Sequence, residues 1–280
     1  MSRLKEIVKL FLNFYFKIYG RILKFLGLVD FPIPPNSNMR RTSANTIKRY
    51  IYSSKTTSLP ISVAAQLNGV NFNDNCNVLD FGCGVAGQLN FFTKSHPLAN
   101  YYATDVDPSS IEWLQAAYPQ VTSKINSPSG ILEFEDSFFD LIYTVSTFSH
   151  FSVSDVDFWL SELSRVTNEG GIFIPTIEGR GAVDLISNET KISKDIINTE
   201  LENNGIFYKN YSWLNPLQDK NYKSINKSLD ISSYFSSEYG HTVMDTNYFI
   251  NKAKQYGFHY IGSAEKSICD RQDLIIFKKS

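Results

Sequence analysis

The stretch VLDFGCGVAG, residues 78–87, places glycines at 82, 84 and 87. This G-x-G-x-x-G spacing lets backbone N–H groups close around a pyrophosphate at a helix N-terminus. Two residues before the first glycine, however, Asp80 interrupts an otherwise apolar run. A carboxylate at that point repels a phosphate and attracts an ammonium. Gly82 and Gly84 allow positive φ and close approach of the backbone to a ligand. Asp105 follows about 18 residues after Gly87, at the end of NYYATD, the spacing at which a strand-end acid accepts hydrogen bonds from ribose hydroxyls, with a helix cap before Pro108 the alternative. Asp107, one residue before Pro108, reads instead as a helix cap. Together these residues suit a nucleoside that carries an ammonium and no phosphate.

A second set of residues offers proton transfer. Histidine is the side chain best suited to take a proton from a neutral hydroxyl at pH 7. His150, in VSTFSHF, follows an apolar strand at the edge where ligands bind; a role in catalysis or acceptor contact stands beside a role in capping or packing the next helix. His241, in SSEYGHTVMD, is the second candidate base, while His96 and His259 sit away from that edge. Glu178 closes a later strand and is placed to orient a histidine or bind an acceptor hydroxyl, against the alternative of a solvated acid. Arg41, beside Arg40, and Tyr50 are candidate acceptor contacts, against the commoner alternative of a charged surface. Neither a Cys/His cluster nor a paired-carboxylate pattern suggests a metal, so metal-independent chemistry is expected.

These residues require strands and helices in alternation. NVLDFG, NYYATDVD, the apolar run of SFFDLIYTVSTFSHF ending near Val145, and NEGGIFIPTIE read as strands. VAGQLNFFTKS, PSSIEWLQAAY and SVSDVDFWLSELSRVT read as helices, the first starting in the glycine loop and the second opened by Pro108. Residues 44–70 form one or two helices before the first strand. Strand–helix alternation predicts a parallel sheet with right-handed crossovers. A helix near 246–256 and a close pair of strands, FHYIGSAE and DLIIFKK, predicted to be antiparallel, end the chain. Residues 180–245 break the rhythm and read as an insertion over the open end of the sheet, with Phe207, Tyr208, Tyr211, Trp213 and Tyr222 among its aromatics.

The N-terminus is of another kind. Lys5, Lys9, Asn13, Lys17 and Arg21 recur four apart in a strongly apolar segment, the pattern of a basic amphipathic helix. Its charges exclude a spanning helix, and it lacks the features of a signal peptide. Two readings stand: a helix lying on an anionic membrane surface through residues 1–28, or one docked on its own domain or on a second subunit as a homodimer. The organisation is thus a helix over 1–30, a proline-rich connector and helical cap over 31–75, and a main domain over 76–280. Of the 280 residues 42% are hydrophobic, enough for one large core. A net charge of −1 removes any global footprint for nucleic acid. Three scattered cysteines imply no disulfide framework and fit a reducing cytoplasm.

Residues 77–178 resemble a class I S-adenosylmethionine-dependent methyltransferase. VLDFGCG resembles the family's first motif and YYATDVDP its second. LEFEDSFFDLIYTVSTFSHF and LSRVTNEGGIFI resemble its later segments. The resemblance implies a Rossmann-like, doubly wound α/β sheet of about seven strands, mostly parallel with an antiparallel C-terminal strand. It implies S-adenosylmethionine as cofactor, whose ammonium, sulfonium and ribose match the first set of residues. Asp80, Gly82 and Gly84 would line its methionine part and Asp105 its ribose. Asn126 and Ser127 would hold adenine, and Tyr143 and Thr144 would flank the sulfonium, with ordinary sheet packing the alternative for Tyr143. The connector, the S-x-F-S-H segment and QDLIIFKK are similar to methyltransferases of bacterial surface-glycan gene clusters, although Val85-Ala86 stand where many of those carry a basic residue. The implied activity is O-methylation of a sugar hydroxyl in a surface polysaccharide or its precursor, in the cytoplasm or at the inner membrane face. The alternatives are methylation of a small lipophilic molecule and a non-catalytic binding partner.

Overall fold

A computed structural model describes residues 31–35, 38–39, 46–73, 75–127, 130–210 and 240–280, with positions 18 and 22. Helix α1 (Ile47–Leu67) starts where the Thr46 side chain accepts a hydrogen bond from Arg49 N at 3.1 Å, and it continues through Pro60 as one helix. There follow β1 (Asn77–Phe81), α2 (Leu89–Ser95), β2 (Asn100–Asp105), α3 (Pro108–Ala117), β3 (Thr122–Ile125), β4 (Phe139–Thr144), a 3₁₀ turn (Phe148–His150), α4 (Val153–Val166) and β5 (Thr167–Ile177). The Ser152 hydroxyl and Asp155 carboxylate form a reciprocal capping box at α4. Helix α2 does not start in the glycine loop. The backbone passes through left-handed φ at Gly84 (+50°) and Ala86 (+55°), and the helix spans Leu89–Ser95.

The chain ends with α7 (Thr246–Gln255), β8 (Phe258–Ile268) and β9 (Gln272–Lys279). The seven strands of the main sheet lie in the order β3-β2-β1-β4-β5-β9-β8. All pairs from β3 to β5 are parallel, and β9 runs antiparallel to both neighbours, as expected from the sequence. Strand order reverses between β1 and β4, so the crevice beyond their carboxyl ends is where an open α/β sheet takes its ligand. One face of the sheet packs Val78, Leu141 and Tyr143 against Phe92 and Leu114; the other packs Leu79, Ile142 and Phe173 against Trp159, Leu163 and Phe249.

Between β5 and α7 stand α5 (Val183–Thr190), α6 (Lys194–Asn204), β6 (Ile206–Asn210) and β7 (Gly240–Met244), the two strands pairing as an antiparallel ribbon. This part of the insertion has its own core of Ile186, Ile197, Leu201, Phe207 and Val243. Phe207 is thereby buried rather than presented to an acceptor, and Tyr211, Trp213 and Tyr222 lie outside the described residues. The ribbon is tied to the main sheet where Met244 N donates to Glu178 O at 2.9 Å. The N-terminal segment, apart from Ile18 and Ile22, also lies outside the described residues. No described helix is long and apolar enough to cross a membrane.

Candidate active site at the carboxyl ends of the central strands

Asp80 is the fourth residue of β1 and pairs in register with Tyr143 of β4, directly at the strand-order reversal. It is only 1% exposed. The Tyr143 hydroxyl donates to Asp80 Oδ2 at 3.1 Å, and the Tyr143 ring stacks on Phe92 with centroids 4.8 Å apart and planes 14° apart. Burial pushes the Asp80 carboxyl up to about 8; the Tyr143 hydrogen bond opposes that shift and the Asp105 charge adds to it. Tyr143 is itself fully buried. It stands behind Asp80 as packed sheet core and does not flank a ligand's sulfur, because its ring is committed to Phe92. Thr144, on the opposite face, is also fully buried, and its Oγ1 has no hydrogen-bond partner among the described residues.

The glycine loop crosses over these strand ends. Gly82 N and Cys83 N both donate to Thr104 O, at 2.8 and 3.0 Å, which draws the loop against β2. Gly82 has φ +73°, and a Cβ there would collide with Thr147 Oγ1. Gly84 N donates to Asp105 Oδ2 at 2.8 Å, while Asp105 Oδ1 accepts from Asp107 N at 2.8 Å. Burial pushes Asp105 up to about 6, against the pull of these backbone donors. Asp107 caps α3, accepting from Ser109 N at 3.0 Å. Asn126 N donates to Asp105 O at 3.0 Å, so Asn126 and the exposed Ser127 continue the same rim beyond β3.

Behind the loop lies α1. A Cβ at Gly87 would meet Ser54 Oγ at 3.1 Å, so the third glycine permits close packing of α1 on the loop. The Tyr50 hydroxyl donates to Val85 O at 2.9 Å and accepts from Asn90 Nδ2 at 2.7 Å. Tyr50 is 2% exposed. It is a buried prop for the loop and not an acceptor contact, because both hydroxyl partners are inside the fold. Arg41 lies outside the described residues.

On the other side of the crevice the 3₁₀ turn after β4 and strand β7 bring His150 and His241 together, with ring centroids 6.3 Å apart. His150 Nδ1 lies 3.0 Å from Gly240 O, which assigns the proton to Nδ1 and leaves Nε2 as the acceptor. Burial, with a smaller contribution from the Arg271 charge, lowers both histidines to about 4. Both are neutral imidazoles at pH 7. Arg271, in the β8–β9 turn, donates from Nε to Glu178 Oε1 at 2.5 Å and from its two terminal nitrogens to both carboxylate oxygens of Glu189 at 2.9 and 3.0 Å. Glu178 is 2% exposed; burial raises its pKa and Arg271 opposes the rise. The structure thus gives Glu178 an arginine partner rather than a histidine. Arg271 carries no spacing signal in the sequence, since only the β8–β9 pairing brings it to this edge. His96 is elsewhere, 2.8 Å from Ser62 Oγ and stacked on Phe72, and His259 is exposed on β8. Among the described residues no group of His, Cys, Asp or Glu converges as a metal site.

The site therefore joins a buried carboxylate without a cationic partner among the described residues, a glycine cradle a side chain would fill, and two neutral imidazoles. The cradle and carboxylate fit the methionine end of S-adenosylmethionine, and Asp105 fits its ribose.

Comparison with known proteins agrees with the fold and with a methyltransferase domain. The sequence model of a methyltransferase domain matches residues 79–174, from inside β1 to inside β5. An S-adenosylmethionine-dependent methyltransferase from Mesorhizobium loti superposes with a TM-score of 0.53 at 14% identity, over 78% of this chain and 96% of that one. The PH0226 protein from Pyrococcus horikoshii gives 0.52 at 17% identity, over 82% and 91%. A methyltransferase of the same cofactor class from Methanosarcina mazei gives 0.51 at 15% identity, over 76% and 96%. At these identities the likeness is one of fold.

Proposed function

We propose, for a chain that is an S-adenosylmethionine-dependent methyltransferase, that the acceptor is a sugar hydroxyl of a bacterial surface polysaccharide or its precursor. The observation that carries a hydroxyl acceptor is the pair of neutral imidazoles, His150 and His241, at the crevice. A neutral alcohol is a poor nucleophile and needs a base as its oxygen gains the new bond. S-Adenosylmethionine supplies the methyl group. The chain's own residues do the rest. Asp80 holds the ammonium end, the loop from Gly82 to Gly84 admits the ligand backbone-close, and Asp105 accepts from the ribose. His150 Nε2, its tautomer set by the Gly240 carbonyl, takes the acceptor's proton; His241 is the alternative base. Such a site works chiefly by aligning acceptor oxygen, methyl and sulfur. The glycan assignment is supported by the S-x-F-S-H and QDLIIFKK stretches. The basic amphipathic pattern of residues 1–28 supports a peripheral position on the inner membrane face, where lipid-linked precursors are assembled.

The test is incubation with methyl-labelled cofactor and either extracted surface glycan or a quinone-precursor pool. Label in the glycan is expected. Label confined to the lipophilic pool overturns the acceptor class, and absence of cofactor binding overturns catalysis.

A further inference from the structure

The hydroxyl of Tyr143 is fully inside the fold, yet it is aimed at the one carboxylate the cofactor reading assigns to the ammonium. Parallel partners in register point to the same face of a sheet, so the Asp80–Tyr143 pairing sets the two side chains side by side. The stack on Phe92 then fixes the ring. The ionisable groups around Asp80 are Asp105 from β2, Cys83 from the loop, Tyr50 from α1 and Tyr143 from β4, with Tyr101 of β2 facing Tyr143. None of them is a cation. A buried carboxylate in such surroundings takes up a proton until a positive charge arrives. Among the described residues the group that favours its ionised form is the Tyr143 hydroxyl.

Resting on the cofactor assignment, we propose that Tyr143 is a positioning residue that holds the Asp80 carboxylate for the cofactor's ammonium, and that capture of the ammonium at neutral pH expels one proton from this pair. The balance is simple. The Asp80 carboxylic acid and the ligand ammonium give a carboxylate–ammonium pair, and the carboxyl proton goes to solvent. Asp105, pushed only to about 6, is mostly ionised at pH 7 before the ligand arrives and adds little to the count.

The experiment is calorimetric titration of the intact chain at pH 7 in two buffers of different ionisation enthalpy. The probes are S-adenosylhomocysteine, which has the ammonium, and 5′-methylthioadenosine, which keeps the nucleoside and sulfur without it. The expected result is release of about one proton with the first probe and none with the second. Asp80→Asn abolishes the release. Tyr143→Phe weakens S-adenosylhomocysteine roughly tenfold or more and leaves 5′-methylthioadenosine unchanged, because a hydrogen bond to a charged group is lost. Binding without proton release overturns the proposal in the unaltered protein alone, whether or not the variant folds. Equal weakening of both probes by Tyr143→Phe reduces Tyr143 to a packing role and also overturns it. Failure of the unaltered protein to bind either probe removes the cofactor assignment itself.

Discussion

The imidazole rings of His150 and His241 lie 6.3 Å apart, one on the 3₁₀ turn after β4 and the other on the ribbon strand β7. They meet because β7 packs over that turn: Gly240 O receives the His150 ring, and Thr242 Oγ1 donates to Phe151 O at 2.6 Å. The described part of the insertion therefore brings His241 beside His150. Replacing His150 by alanine is expected to lower kcat roughly 100-fold while the Kd for S-adenosylhomocysteine stays unchanged. Should only His241→Ala do so, the base is His241. Turnover near normal in both variants would exclude either as the base.

The same two histidines set a pH dependence of stability. Both are ordinarily near 6.5 and are lowered to about 4 in the fold, so the folded state binds fewer protons than the unfolded one between those values. Their contribution is fully present above pH 6.5 and is lost as pH falls toward 4. Urea midpoints compared at pH 7 and pH 4.5 should fall less in a His150→Gln/His241→Gln double variant than in the unaltered chain. An identical fall in both proteins would mean the histidines titrate normally.

Asp80 has the opposite sign. Its carboxyl is raised from 3.8 to about 8, so its protonated form favours the ligand-free fold below pH 3.8, and that contribution disappears as pH rises through 8. Asp80→Asn, which keeps the shape without the charge, is expected to raise the Tm of the ligand-free protein at pH 8.5 and to weaken cofactor binding. A Tm that drops at that pH would contradict the buried, uncompensated carboxylate.

Gly82→Ala should cost about 1–3 kcal/mol and eliminate cofactor binding, because it adds a left-handed backbone penalty to a collision with Thr147. Gly262→Ala is the control, since a Cβ there meets nothing within 4 Å. Chemical denaturation of the two variants makes the comparison, and equal stabilities would show the loop has another conformation.

Arg271 holds Glu178, 2% exposed, and Glu189 at once. Arg271→Gln leaves Glu178 buried without its cation and should destabilise the fold by about 3–5 kcal/mol. Adding Glu178→Gln should recover a large part of that loss. A double-mutant cycle with no coupling between the two would show that the pair contributes nothing.

The sequence by itself determined the strand–helix alternation, the position of the glycine loop and the two acids that flank it. These follow from local signals: apolar periodicity, glycine where φ is positive, and proline or acid at a helix start. Asp80, Gly82, Gly84 and Asp105 converge on the crevice because each lies at the carboxyl end of a parallel strand or just beyond it. Tertiary structure decided what local signals do not encode. Tyr143 faces Asp80 only through the register of β1 with β4. Tyr50 reaches Val85 only because Gly87 lets α1 pack close. Glu178 finds Arg271 rather than a histidine because β9 inserts antiparallel beside β5 and carries the β8–β9 turn to the crevice. A side chain's type and strand position set where it can stand, but its partner is chosen by which distant strand lies next to it.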